Sequence, residues 1–207
     1  MGRIGIFLVS LLLPGLSAVS ANAGMLTFDR LFSPPDLSGA SLRSPQISPD
    51  GRFVAYLRGK PGNAGQFDLW AYDVRARRHR ELVDSAVLAP QEQALSAEEE
   101  QRRERQRTAG FSGIVEYQFS RDARRLLVPL GGDIYVYDLH APPAQAVRRI
   151  TRTDAYETDA QFSPRGRYVS FVRNQNLVIH DLEAGTERAV TTGGGGLVSF
   201  AAAEFIA

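Results

Sequence analysis

Apolar and polar residues alternate in three stretches of the chain, and these stretches align with one another. They read QISPDGRFVAYLRG from Gln46, QFSRDARRLLVPLGG from Gln118 and QFSPRGRYVSFVRN from Gln161. Each contains a serine, a tight turn and then an alternating apolar run. A period of two residues is typical of a β-strand with one buried face. The pattern therefore predicts three hairpins of the same kind.

A second pair of strands follows each hairpin: FDLWAYDV and RHRELV, GDIYVYDL and VRRIT, NQNLVIHDL and ERAVT. Ser120 and Ser163 lie 43 positions apart, within the roughly 40 to 50 residues of one propeller blade. A β-sandwich is the structural alternative, but it gives no reason for Ser, turn and Asp to recur at one period. We predict an all-β chain, an incomplete β-propeller of about three four-stranded blades plus the start of a fourth, with one inserted polar α-helix.

The segment Leu95 to Arg107, LSAEEEQRRERQR, breaks the repeat. Ser48 and Ser120 are 72 positions apart, which is 29 more than the 43 positions between Ser120 and Ser163. Residues 85–113 also number 29. We therefore place an insertion between the first and second blades. Its composition predicts a helix without an apolar face.

Local chemistry predicts where this helix begins and ends. Ser96 is a good N-cap, Glu99 completes a capping box, and Gly110 is expected to provide the left-handed stop. Because the helix is polar all round, we expect it to project into solvent or into a cavity and not to lie flat on a core. Two ion pairs four residues apart are predicted, Glu98 with Arg102 and Glu99 with Arg103.

The predicted domain organisation follows from these boundaries. It comprises a signal peptide (1–23), an N-terminal extended segment (24–43) and a partial propeller (44–207), the latter divided into blade 1 (44–84), the helical insertion (85–113), blade 2 (114–153), blade 3 (154–192) and the start of blade 4 (193–207).

The first residues are typical of a secretory signal. Arg3 gives a positive start, Ile4 to Leu13 an apolar run too short to span a membrane, and Ala21-Asn22-Ala23 a small-residue cleavage site. The chain contains no cysteine, which excludes a lipoprotein anchor and disulfides. We predict a periplasmic or secreted protein without a membrane anchor after cleavage.

Charge is balanced, with 24 Lys and Arg against 23 Asp and Glu and a formal net charge of +1. No basic stripe with interleaved aromatics appears, so nucleic acid is not an expected partner. The glycine run Gly193 to Gly196 lacks the Lys-Ser/Thr sequel of a phosphate loop. No metal site or cofactor is expected.

Several stretches resemble, in order, the N-terminal propeller region of bacterial dipeptidyl peptidase IV-like enzymes, which belong to the prolyl oligopeptidase group of serine peptidases. They are LTFDRLF, ISPDGRFVAYLRG, DLWAYDV, EEEQRRERQR, GIVEYQFS, LGGDIYVYDL, AVRRIT, SPRGRYVSF and AEFIA. The likeness covers the chain from about Leu26 to its last residue.

This resemblance implies a propeller that caps an α/β-hydrolase domain with an interior Ser-Asp-His triad. Such enzymes release dipeptides whose second residue is Pro, or less readily Ala. The resemblance also implies that an arginine on the inserted helix contacts the peptide substrate. We expect Arg107 in this role first, and Arg103, one turn earlier, second.

The chain departs from the family pattern at its end. The family's Glu-Glu pair, which holds the substrate ammonium, would follow AEFIA, but the sequence stops at Ala207. No Gly-x-Ser-x-Gly nucleophile elbow is present either, the nearest stretch being GFSGI from Gly110. The chain is therefore expected to be an inactive fragment whose partners are the peptide, a C-terminal α/β-hydrolase domain and, in addition, a second copy in a homodimer.

Two alternatives remain open at this point. One is a periplasmic propeller similar to TolB-type repeats, acting as a binding module without catalysis. The other is a short degenerate remnant with no function, which would leave an unpaired edge strand.

Overall fold

The computed structural model describes residues 26–33, 37, 39, 42–90 and 94–201. The predicted signal peptide and the AEFIA stretch lie outside the described residues. The described chain begins with a short helix, α1 (Phe28–Phe32), whose N-cap Thr27 accepts a hydrogen bond from the Arg30 amide.

The first blade is an antiparallel sheet in the order β1-β2-β3-β4, and its strands are β1 (Leu42–Ile47), β2 (Phe53–Lys60), β3 (Asn63–Asp73) and β4 (Arg78–Val83). The insertion follows with the helices α2 (Ser85–Leu88) and α3 (Ala97–Arg105). A two-residue strand, β5 (Ser112–Gly113), then pairs in parallel with the start of β3. The insertion is thereby tied back to the first blade before the second begins.

The second blade has the order β6-β7-β8-β9, formed by β6 (Gln118–Phe119), β7 (Arg125–Leu130), β8 (Asp133–Asp138) and β9 (Val147–Arg149), with a 3₁₀ turn (Pro143–Gln145) before β9. The third blade has the order β10-β11-β12-β13, formed by β10 (Glu157–Phe162), β11 (Tyr168–Arg173), β12 (Asn176–Asp181) and β13 (Thr186–Ala189). All neighbours within these two sheets are antiparallel.

The second blade is buried on both faces, which explains why β7 is nearly continuous in apolar residues. Leu126 and Val128 face the first blade, in a core that also holds Phe53, Leu69 and Tyr137. Leu127 faces the other way, into a core with Val169 and Phe171 of the third blade. Face-to-face stacking of successive four-stranded sheets is the packing of a propeller. The predicted all-β, incomplete propeller is confirmed.

The recurring serines organise the first turn of each blade. Ser48, Ser120 and Ser163 each accept a hydrogen bond at Oγ from the amide five residues later, at 2.8, 2.9 and 3.0 Å. Gly51 and Gly166 take the left-handed conformation that these turns need, and Ala123 does so in the second blade at φ 57°. The predicted hairpins are therefore fixed by local hydrogen bonds.

The recurring aspartates Asp73, Asp138 and Asp181 hold the turn after the third strand of each blade. Each carboxylate accepts from the amide two residues later, at 3.0, 2.8 and 2.9 Å. Their role as turn-forming residues, predicted from their recurrence, is confirmed.

Candidate functional site

The helix α3 begins and ends with well-defined caps. The Oγ of Ser96 accepts from the Glu99 amide at 3.3 Å, as predicted. At the other end Arg107, with φ 57°, takes the left-handed conformation, and the Thr108 amide donates to the Arg103 carbonyl at 2.8 Å. This is a Schellman ending. The prediction that Gly110 would provide the stop was wrong, because the chain already reverses at Arg107.

The helix buries a charged face, made by Glu99 and Arg103, which are only 3% and 8% exposed. Arg103 Nε donates to Glu99 Oε1 at 2.8 Å, which confirms the predicted pair. The Thr158 hydroxyl donates to the other carboxylate oxygen of Glu99. Both oxygens of Glu99 are thus engaged, one of them by strand β10 of the third blade.

Arg103 reaches two further groups beyond its partner Glu99. Its guanidinium donates to the Tyr156 hydroxyl at 3.1 Å and to the Phe111 carbonyl at 3.4 Å. A helix without an apolar face can be buried here because each charge meets an opposite charge or a hydrogen-bond partner. The expectation that α3 projects into solvent or into a cavity is met only in part, because Arg103 lines a cavity while Glu99 is buried against β10.

Arg102 forms a second group of charged contacts on the same side of α3. It pairs with Glu116, and lies 3.5 Å from a Glu99 oxygen and 3.8 Å from an Asp159 oxygen. The predicted pair with Glu98 is not formed, since Arg102 is drawn to these acceptors. Burial acts to lower the pKa of Arg102, but its hydrogen bond to Glu116 and the neighbouring negative charges outweigh burial, so the pKa is raised. The guanidinium stays charged.

A cavity of about 330 Å³ opens beside α3. Its polar lining includes Arg103 and Tyr156, together with Gln66 of β3 and Ser85 of α2. Burial raises the pKa of Tyr156, so its hydroxyl stays protonated at neutral pH. The remaining lining comes from Ala89, Leu95, the loop 109–113, Leu130 and Gly131.

A smaller cavity of about 200 Å³ lies on the other side of α3. Arg102, Arg105 and Gln106 line it from the helix, and Thr158 and Val172 from the third blade. Ala201 completes the lining, so the segment that follows β13 runs back to the inserted helix.

The structure separates the two arginines predicted as substrate contacts. Arg103 lies in the wall of the cavity of about 330 Å³ and is held by three groups. Arg107 is exposed just past the end of α3 and is not part of either cavity lining. The partners Glu116, Tyr156 and Thr158 were not predicted, because no spacing in the sequence links them to α3.

Three carboxylates gather elsewhere, at the edge of the first blade. Ligand atoms of Asp68, Glu81 and Asp84 lie within 4.8 Å of one another. The Lys60 ammonium lies 2.7 Å from Asp68 and 2.8 Å from Asp84, so it supplies the positive charge among them. This hydrogen bond from Lys60 lowers the pKa of Asp84. The cluster has the geometry of an internal ion-pair network.

One protein family matches the second and third blades. Residues 119–207 match the family model described as the dipeptidyl peptidase IV (DPP IV) N-terminal region. This part of the chain is similar to a DPP IV N-terminal region. The match begins in β6 and covers the second and third blades, so the resemblance predicted from the sequence is confirmed there.

Two solved structures align with part of this chain. The tricorn protease is 17% identical with a TM-score of 0.45 over 73% of this chain, and dipeptidyl peptidase 4 of Porphyromonas gingivalis is 20% identical with a TM-score of 0.44 over 75%. This chain spans only 13% and 20% of the lengths of those two proteins. Within the described residues, none of the helices has the length and apolar character needed to cross a membrane.

Proposed function

We propose that this chain is the propeller portion of a secreted or periplasmic DPP IV-like serine exopeptidase that releases X-Pro and, less readily, X-Ala dipeptides. Its propeller would admit peptides and help to bind them. The observation that carries the proposal is the match of residues 119–207 to the DPP IV N-terminal region. Acyl transfer by a Ser-His-Asp triad would take place in an α/β-hydrolase domain beyond these residues.

The surroundings of Ser112 support the proposal that the catalytic serine lies in the α/β-hydrolase domain. Ser112 is the serine of the GFSGI stretch, and it lies in the two-residue strand β5 beside β3. A nucleophile elbow needs a sharp turn between a strand and a helix, with the serine at its tip. These residues would therefore bind the peptide substrate, and the catalytic residues would lie elsewhere.

The cavity of about 330 Å³ beside α3 suits a peptide backbone. Arg103 is neutralised by Glu99, so the wall carries N–H donors without a net positive charge at that point. Such a wall favours neutral carbonyl groups over a carboxylate, since a carboxylate would find its counter-ion already paired. The Tyr156 hydroxyl adds a second polar group within the same wall. Arg103 is therefore the stronger candidate for a substrate contact, and Arg107 the weaker one.

The test is hydrolysis of Gly-Pro-p-nitroanilide by the product of the whole gene that contains this sequence. We expect release of nitroaniline from the free substrate and none from its N-acetylated form. Arg103→Lys should lower kcat/KM by about tenfold, because a lysine loses the forked donor geometry. Arg105→Lys, on the exposed side of α3, is the matched control and should leave kcat/KM unchanged.

Two results would overturn the proposal. If the purified gene product binds Gly-Pro peptides without cleaving them, the chain belongs to a non-catalytic binding module. If Arg103→Lys and Arg105→Lys are equally active, the cavity beside α3 is not a peptide site.

A further inference from the structure

The Tyr156 hydroxyl has a hydrogen that no other group in the described residues accepts. Its oxygen accepts a hydrogen bond from Arg103 at 3.1 Å, and the same hydroxyl can donate once. Burial raises the pKa of this hydroxyl, so the hydrogen is present at neutral pH. Because Tyr156 lines the cavity of about 330 Å³ beside α3, this donor lies where a ligand can reach it.

Arg103 has further donors at the same place. It uses three of its N–H groups, towards Glu99, Phe111 and Tyr156, and a guanidinium carries more than these. The remaining N–H groups have no acceptor within residues 26–33, 42–90 and 94–201. Two neighbouring side chains of the cavity therefore offer hydrogen-bond donors without protein acceptors.

The backbone beside Tyr156 fixes where its hydroxyl lies. Tyr156 directly precedes β10, and the amide of the next residue, Glu157, donates to the Gly132 carbonyl between β7 and β8 at 2.9 Å. Thr153 and Arg173 each donate to the Glu157 carboxylate at 2.6 Å. The tyrosine is thus carried by a backbone that is tied to the second blade and to β11. Its donor is in place before a ligand arrives, which lowers the entropic cost of binding.

These donors favour a ligand with a neutral acceptor. The Arg103 charge is already paired with Glu99, so a carbonyl oxygen is a better match than a carboxylate. A ligand that fills the cavity without offering an acceptor would leave the Tyr156 hydroxyl unpaired and would bind more weakly for that reason. The carbonyl groups of a peptide backbone are acceptors of the required kind.

We propose that Tyr156 is a specificity-determining residue, which donates its hydroxyl hydrogen to a backbone carbonyl oxygen of the bound peptide beside the N–H groups of Arg103. This inference rests on the peptidase function proposed above and adds a second residue that recognises the substrate. Tyr156 takes no part in acyl transfer. Its contact is the same in the ground state and in the transition state, so its loss should raise KM and leave kcat unchanged.

The first test compares wild type and Tyr156→Phe in the product of the whole gene, with the hexapeptide Gly-Pro-Leu-Gly-Leu-Gly as substrate. Tyr156→Phe keeps the ring and should raise KM by about tenfold at unchanged kcat. Tyr168→Phe, at a tyrosine 39% exposed on β11, is the matched control and should change neither constant. Thermal unfolding of each variant shows whether the fold is kept.

Thioamide substrates separate a direct contact from a role in holding Arg103. A thiocarbonyl sulfur is a weaker acceptor than a carbonyl oxygen, so the sulfur is placed at each uncleaved peptide bond of the hexapeptide in turn. At one position kcat/KM of the wild type should fall by about tenfold, whereas Tyr156→Phe, which has no hydroxyl to lose, should lose much less.

The outcomes distinguish this inference from the proposed function. A wild type that cleaves the hexapeptide with the same KM as Tyr156→Phe would overturn the role of Tyr156 and leave the peptidase proposal standing. Equal thioamide losses in both proteins at every position would also overturn it, because Tyr156 would then not contact the peptide. A gene product that neither cleaves nor binds the hexapeptide would overturn both proposals.

Discussion

The first two blades pack together through apolar side chains, whereas α3 packs against the third blade through charged ones. The blades meet through Phe53, Leu69 and Leu126, all 0% exposed. The helix meets the third blade through Glu99, which contacts Thr158 of β10, and through Arg103, which contacts Tyr156 just before β10; Glu99 and Arg103 are nearly as well buried. One contact depends on removing apolar surface from water, and the other on matching every buried charge.

This difference predicts how the two contacts fail. An apolar contact weakens in proportion to the surface lost, because no particular partner is needed. A buried charged contact fails when one partner is removed, since the other is left without compensation in a poorly solvated place. The blades should therefore tolerate small changes, and the helix contact should not.

Leu126→Ala should have the largest effect, on the stability of the blades. Leu126 is fully buried between the first and second blades, so its truncation leaves a cavity and should cost about 3 kcal/mol of unfolding free energy. Urea unfolding followed by far-UV circular dichroism measures this loss. Val87→Ala, at a side chain 80% exposed in α2, is the control and should cost almost nothing. A loss for Leu126→Ala no larger than for Val87→Ala would contradict the blade packing.

Glu99→Gln should release α3 while the blades stay folded. It removes the charge that compensates Arg103, a change that costs as much as about 3 kcal/mol if the helix remains docked. The helix can avoid this cost by leaving β10. Hydrogen exchange of the amides in 97–105 should then become at least about tenfold faster. Glu100→Gln, on the exposed side of the helix, should leave exchange unchanged, and equal exchange in both variants would count against the buried pair.

Ser120→Ala should have a smaller effect, of about 1 kcal/mol, because it removes one turn hydrogen bond from the Arg125 amide and one to Asp122. The matched change in the third blade is Ser163→Ala. Arg165 stands there in place of the aspartate, and Ser163 is only half-buried, so the loss should be smaller still. Differential scanning calorimetry of both variants shows which substitution lowers stability more. A larger effect for Ser163→Ala would refute this account of the turns.

The smallest predicted effect is on acid stability. The hydrogen bond from Arg167 lowers the pKa of Asp181 to about 2. A carboxyl whose folded pKa is below its unfolded value contributes stability that is fully present above the unfolded pKa, about 3.9, and is lost as pH falls through the folded pKa. Asp181→Asn should therefore show a shallower fall in melting temperature between pH 5 and pH 2. If the melting temperature of Asp181→Asn fell with pH as steeply as that of the wild type, Asp181 would not stabilise this turn.

The blades could be predicted from the sequence because their determinants are local and repeated. Ser48, Ser120 and Ser163 each act within five residues, and Asp73 and Asp181 each act within three. A repeat also shows such positions several times over, so their role as turn residues can be recognised without knowing the tertiary structure.

The candidate site could be predicted only in part. The caps of α3 and its Glu99 to Arg103 pair are local, so the N-terminus and this pair were found. The partners Tyr156 and Thr158 are more than 50 positions away from the helix, and a polar helix gives no apolar face from which docking can be inferred. Hydrophobic periodicity detects only the first of the two kinds of contact in this protein.

A double-mutant cycle on Glu99 and Arg103 tests most directly whether α3 is held by paired charges. Glu99→Met and Arg103→Met would be compared, alone and together, by hydrogen exchange of the amides in 97–105. We predict that each single variant loses more protection than the double variant, because only the single variants leave one buried charge unpaired. Losses that simply add in the double variant would contradict the account.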